Sequence, residues 1–143
     1  MTLARFAFAA AALGFLLAVT PASADIVKYM ANLDAKSENP PNDSKGIGKI
    51  EAIYDTATKT LTWSGSYSGL TGPAIAAHFH GPAKVGVNAG VMVPVDAAKS
   101  PFKGTAALTA EQAKALADGL MYFNIHTNAN KGGEIRGQMA PEK

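Results

Sequence analysis

The sequence predicts an all-β fold, a Greek-key-like β-sandwich or flattened barrel with one short helix near residues 110–118. Three observations lead there. Short runs alternate apolar and polar residues, the period of a half-buried strand. Clusters of Gly, Pro, Asn and Asp separate these runs at regular spacing, as in sandwiches and barrels. The chain has 143 residues and no cysteine, so it suits one domain held by its core alone. The missing cysteines also exclude thiolate metal sites, cysteine nucleophiles and a lipidated N-terminal cysteine. A 17% charged, 48% hydrophobic composition excludes a disordered or coiled-coil chain. A net charge of +2 offers no basic patch for nucleic acid.

The elements follow in order. Met1 to Ala24 reads as a secretory signal peptide, with Arg5, an apolar stretch from Phe6 to Val19, and Ala22-Ser23-Ala24 as a small-x-small cleavage pattern. The stretch is shorter than the ~20 residues that cross a bilayer, so no membrane anchor is expected after cleavage. The remaining domain, 25–143, is expected outside the cytoplasm, periplasmic or extracellular. Asp25–Leu33 alternates, with Ile26, Lys28 and Met30 against Val27, Tyr29 and Ala31. Ser37–Lys45 is a polar loop containing Pro40-Pro41. Gly46–Tyr54 and Thr60–Tyr67 flank Asp55–Lys59, a hairpin. Thr60, Thr62 and Ser64 alternate with Leu61, Trp63 and Gly65, so Trp63 belongs to the core. Ile75–His80 is a short strand ended by Gly81-Pro82, and the loop Ala83–Gly90 follows. Val91–Val95 and Phe102–Leu108 are further strands. Thr109 caps the helix, Gln112 sits at the capping-box position and Gly119 stops it. Leu120–Thr127 and Glu134–Met139 are the last strands, split by Asn128–Gly133, where glycines supply positive φ.

The three histidines carry the chemistry. In Ile75-Ala76-Ala77-His78-Phe79-His80, alternation sends Ile75, Ala77 and Phe79 to the core and both histidines to the other face. In Tyr122-Phe123-Asn124-Ile125-His126, Phe123 and Ile125 go in, while Tyr122, Asn124 and His126 go out. In Glu134-Ile135-Arg136-Gly137-Gln138, Ile135 goes in and Glu134, Arg136 and Gln138 go out. If these strands are neighbours, three imidazoles converge on one outer surface with Arg136 beside them. Three imidazoles make an all-nitrogen site that suits copper, with zinc as the alternative. The same spacing also describes three solvated histidines that only form hydrogen bonds. Arg136 has a plainer role available too, an ion pair with Glu134. Tyr122 and Asn124 share the His126 face and are placed to hydrogen-bond a ligand imidazole or to meet solvent.

Several blocks together resemble the chordin-type (CHRD) domain. They are Tyr29-x-Ala31-x-Leu33 with Glu38-Asn39-Pro40-Pro41, Ala77-His78-Phe79-His80-Gly81-Pro82-Ala83, Tyr122-Phe123-Asn124-Ile125-His126-Thr127, and Gly132-Gly133-Glu134-Ile135-Arg136-Gly137-Gln138. The resemblance covers 25–143 as a single domain and implies an extracytoplasmic protein. In animals such domains are repeated in chordin, an extracellular antagonist of growth factors; in bacteria they occur as small exported proteins. The order of His-x-His, a later strand histidine and a Gly-rich turn before an arginine is also similar to copper/zinc superoxide dismutases. That likeness implies a superoxide-dismutase-like fold, copper held by His78, His80 and His126, and Arg136 as a catalytic residue that steers the small anion superoxide. The bridging histidine, the other zinc ligands and the dismutase disulfide have no counterpart here. Two readings therefore stand: an exported copper protein with superoxide dismutase activity, and a non-catalytic extracytoplasmic protein-interaction module. A three-histidine zinc hydrolase is a third.

Overall fold

The computed structural model describes residues 24–142, so the expected signal peptide lies outside the described residues but for Ala24. Nine strands and one helix follow: β1 (Ile26–Asp34), β2 (Ile47–Asp55), β3 (Thr60–Ser68), β4 (Ala74–His80), β5 (Val91–Val95), β6 (Phe102–Ala107), α1 (Ala110–Ala117), β7 (Tyr122–Thr127), β8 (Ile135–Gln138) and β9 (Ala140–Pro141). The fold is all-β with one helix, as the alternation predicts. The final strand, β9, is not announced by any pattern. It is two residues long and pairs with Tyr29 and Met30 of β1.

Local chemistry sets the turns. Between β2 and β3, Asp55 Oδ1 accepts from the backbone N–H of Ala57 at 2.8 Å and of Thr58 at 3.1 Å, and Lys59 takes the left-handed conformation at φ 56°. Thr109 Oγ1 accepts from Gln112 N at 3.2 Å, while Gln112 Oε1 accepts from Thr109 N at 2.9 Å. This reciprocal box starts α1. Gly119, at φ +70°, follows its C-cap and ends it.

The strands form one continuous sheet in the order β5-β4-β7-β8-β1-β2-β3-β6. Strands β1, β2 and β3 make an antiparallel meander; β3 then pairs with β6, and β4 with β7, each skipping two strands. Of the two architectures the sequence leaves open, the rolled, nearly closed barrel is the one formed. Its free edges are β5 and β6. Helix α1 guards the first, where Gln112 Nε2 donates to Met92 O at 2.8 Å.

The core lies inside the roll. Ile50, Leu61, Phe79, Phe123, Ile125 and Ile135 are fully buried. Each contributes about 1.5–3 kcal/mol by leaving water. Trp63 meets Phe79 edge-on at 5.3 Å, and Phe79 meets Phe123 at 5.0 Å. Gly104 lies against the indole so closely that a Cβ there would sit 2.5 Å from it. One expectation fails: Ile75, assigned to the core by strict alternation, is 50% exposed. The register against β7 shifts between Ala74 and Ala76, so alternation slips and Ala74 and Ala77 turn inward instead.

Candidate metal centre

Strands β4 and β7 are neighbours, the condition that the histidine pattern required. Their register pairs Ala76 with His126, His78 with Asn124, and His80 with Tyr122. His78 and His126 are therefore diagonal neighbours on one face, a separation that side chains as long as imidazole span. His80 lies a further step away. The irregularity between Phe79 and His80 against β5 falls at this residue, the kind of bulge that re-aims a side chain. Ring centroids are 5.0 Å apart for His78 and His126, 5.2 Å for His78 and His80, and 6.1 Å for His80 and His126. One ligand atom from each residue lies within 4.8 Å of the others. Two donors about 2 Å from one ion can be ~4 Å apart at most, so small ring rotations bring all three into range.

The hydrogen bonds select which nitrogens face inward. His126 Nδ1 bonds Lys131 O at 2.9 Å, and His80 Nδ1 bonds Ala89 O at 3.0 Å. A carbonyl only accepts, so both rings carry their proton on Nδ1 and keep a bare Nε2. This is the support that metal-binding imidazoles receive from outer groups. His80 Nε2 is buried and has no partner. An unpaired buried acceptor costs about 1–3 kcal/mol, which a bound cation would offset. His78 Nδ1 lies 3.1 Å from His126 Nε2. Burial pushes the pKa of His78 below its ordinary value, and the neighbouring His126 and His80 push the same way. Burial also lowers His80, against an opposing hydrogen bond to Ala89. Neutral imidazoles are the form that binds metal, so the donor set fits a divalent or monovalent transition metal.

The face around these rings departs from expectation. Tyr122 and Asn124, placed by alternation either to hydrogen-bond a ligand imidazole or to meet solvent, are buried, and so are Glu134 and Arg136 on the same outward side. The loops over residues 35–45 and 83–90 lie over them. Asn39 Nδ2 donates to Gly86 O and Asn88 Nδ2 donates to Asn39 O, both at 2.8 Å, so the loops are tied to each other. Tyr122 stacks flat on His80 with centroids 4.9 Å apart, rather than hydrogen-bonding it. Arg136 lies 3.4 Å over the Tyr122 ring. Strand order puts Tyr122 between His80 and Arg136. The guanidinium is 2% exposed and donates to Asn88 Oδ1 at 3.0 Å and Val87 O at 2.8 Å.

The alternative ion pair between Arg136 and Glu134 is not formed among the described residues. Glu134 instead accepts from Ser44, Thr71, Thr127 and Asn130. Burial pushes its carboxyl up, but these donors outweigh it and hold the pKa down to about 2. Glu38 behaves oppositely. Burial drives its pKa up to about 7, against the Asn124 side chain at 3.3 Å and the charge of Arg136. Sequence reasoning did not single out Glu38, Asn88, Ala89 or Lys131. The last two act through backbone carbonyls, which no side-chain pattern reveals. Glu38 and Asn88 stand in loops whose path is set only by the finished sheet.

No curated protein and no solved structure gives a significant match to this chain. The family model described as "CHRD domain" matches residues 29–139, from the first core tyrosine through all three histidines to the residue after β8. The chain belongs to the CHRD domain family.

Proposed function

We propose that this chain is an exported CHRD-domain protein that holds one copper ion through His78, His80 and His126 and dismutates superoxide. One observation carries the reading: three clustered imidazoles, two with Nδ1–H committed to backbone carbonyls, around a buried His80 Nε2 that lacks a partner. Copper is favoured over zinc because divalent copper binds imidazole more tightly in the Irving–Williams order. Export is supported by the leader pattern of residues 1–24 and by the extracellular character of CHRD domains. Among the described residues no helix is long and apolar enough to cross a membrane.

Bound copper would supply alternate one-electron oxidation and reduction of superoxide. The chain's own groups do the rest. His80 and His126 present Nε2 with the proton already on Nδ1, so binding needs no change of tautomer. Arg136 keeps its positive charge behind Tyr122, where it adds to the potential that draws a small anion even though two of its donors are taken. The interaction-module reading draws on a different observation, the exposed Val85, Val87 and Val91 near the covering loop.

The test is a copper titration of the purified exported protein. One Cu(II) per chain, a paramagnetic resonance spectrum with nitrogen couplings, and loss of both in His80→Ala and His126→Ala are expected. Binding of Zn(II) but not Cu(II) would remove copper from the proposal. Copper loading without superoxide consumption would remove the enzyme.

A further inference from the structure

Arg136 is the largest buried polar group of the described residues, and the chemistry proposed above does not require its burial. Among the described residues it makes no salt bridge. A buried guanidinium without a carboxylate partner is costly, so its remaining contacts have to hold it. Those contacts run toward one residue by two routes. On the first, Arg136 packs on the Tyr122 ring at 3.4 Å, and Tyr122 stacks on His80 at 4.9 Å with the planes only 6° apart. On the second, Nη2 donates to Val87 O and Nη1 donates to Asn88 Oδ1, fixing the two residues before Ala89. Ala89 O receives the His80 Nδ1–H, and Ala89 N donates to Tyr122 Oη at 3.2 Å. Both routes end on the His80 ring, one on its face and one on its Nδ1 edge.

We infer that Arg136 is a positioning residue for the metal centre, acting through Tyr122 and the Val87–Asn88–Ala89 segment to fix the tautomer and tilt of His80. The inference rests on the metal-binding reading of the three histidines. Guanidinium suits the task better than ammonium. Its plane stacks on the phenol while its fork bonds two acceptors in one loop, and lysine offers no such plane. The loop that carries this segment contains Gly86 and Gly90 and is exposed at Val87 and Asn88. Asn39 ties it from outside, at Gly86 O and Asn88 Nδ2, and Arg136 ties it from beneath, at Val87 O and Asn88 Oδ1. The bond from Gly81 N to Gly90 O at 3.2 Å closes its far end.

The experiment uses the whole exported chain with Cu(II) alone as probe, and compares wild type, Arg136→Gln and Asn88→Ala. Asn88→Ala removes two side-chain bonds of an exposed residue, from Arg136 Nη1 to Oδ1 and from Nδ2 to Asn39 O, and guards against a buried variant that fails to fold. Cu(II) affinity is expected to fall about 10–100-fold in Arg136→Gln, the usual effect of losing an outer-shell support. The copper hyperfine coupling is expected to shift in both variants in the same direction. An unchanged spectrum and affinity in Arg136→Gln overturns the inference. A weakened affinity with an unchanged spectrum overturns it too, since that is what a purely structural arginine gives. The same proteins without metal are read by the nitrogen shifts of the His80 ring. Wild type is expected to hold Nδ1–H, and Arg136→Gln to mix tautomers; a fixed Nδ1–H tautomer in both overturns the inference. Absence of stoichiometric copper in wild type defeats the metal reading alone, and the tautomer comparison still decides the role of Arg136.

Discussion

Replacing Glu134 by glutamine tests how the lid over the sheet is held. Glu134 is fully buried and accepts from Ser44 Oγ at 2.6 Å, Thr71 N at 2.7 Å, Thr71 Oγ1 at 2.7 Å, Asn130 Nδ2 at 3.2 Å and Thr127 Oγ1. Ser44, Thr71 and Asn130 come from three separate loops, and Thr127 from the end of β7. Glutamine keeps the shape but turns one acceptor oxygen into a donor that faces other donors. The fall in pKa from 4.5 to about 2 corresponds to about 3 kcal/mol at ~1.4 kcal/mol per pH unit. The direction follows from proton binding. The unfolded chain takes up the proton near pH 4.5, before the folded one does, so this stability is present above 4.5 and is lost as pH falls toward 2. Urea unfolding followed by Trp63 fluorescence at pH 7, 5, 4 and 3 gives the measurement. Glu134→Gln is expected to be about 3 kcal/mol less stable at pH 7. Its difference from wild type should shrink steadily between pH 4.5 and 2. A constant difference across that range, or a loss under about 1 kcal/mol at pH 7, refutes the account.

Other variants probe other links. Glu38 titrates near 7 when folded and 4.5 when unfolded, so its contribution is whole below 4.5 and declines by about 3 kcal/mol as pH rises through 7; Glu38→Gln is expected to flatten the urea midpoint between pH 4.5 and 8, and an unchanged slope counts against it. Gly104→Ala places a methyl against the Trp63 ring and is expected to cost about 1–3 kcal/mol, with a shifted indole emission; wild-type emission and stability would show that the contact relaxes freely. Thr109→Ala removes the capping box and should cost about 1 kcal/mol, with faster hydrogen exchange confined to α1; uniform exchange would show that the cap does not hold the helix.

Much of the fold and the donor set was legible because strand alternation is a local code. Leu61 and Trp63 go in, Thr62 and Ser64 go out, and no distant residue has to be known to say so. Thr109 and Gln112 announce the helix in the same way. The histidines were legible as sharing a face, since that follows from spacing along one strand. Their convergence was conditional, because the adjacency of β4 and β7 depends on a pairing across 48 residues that spacing does not encode. Ile75 was misplaced for the complementary reason: a one-residue shift in pairing reverses alternation, and nothing in Ala74-Ile75-Ala76 marks it. Whether the outer face meets solvent was not legible. Alternation separates the two sides of a sheet; it does not say which side a loop covers.

That last point decides how the site works. All six residues of β7 are buried, although half of them point away from the core. A strand covered on both faces lies in a low-dielectric setting, where an unpaired Nε2, a stacked guanidinium and an acid titrating near 7 all matter more than on a wet sheet. Two opposed carboxylates maintain this arrangement. Glu134 is rich in donors and ionised, and it ties down the turns around 44, 71 and 130. Glu38 is poor in donors, and it sits beside Asn124, whose own Oδ1 is buried without a partner. The strongly satisfied acid is fully buried among these turns, and two unsatisfied polar atoms, His80 Nε2 and Asn124 Oδ1, lie near the imidazoles. Of four buried side-chain atoms without a hydrogen bond among the described residues, His80 Nε2 and Asn124 Oδ1 lie at the centre, while the others belong to Trp63 in the core and Gln138 on β8. A purely structural sheet face would pair or expose such atoms. His80 Nε2 and Asn124 Oδ1 break that rule beside the three imidazoles that could hold a metal ion, where burial pushes the pKa values of His78 and His80 down.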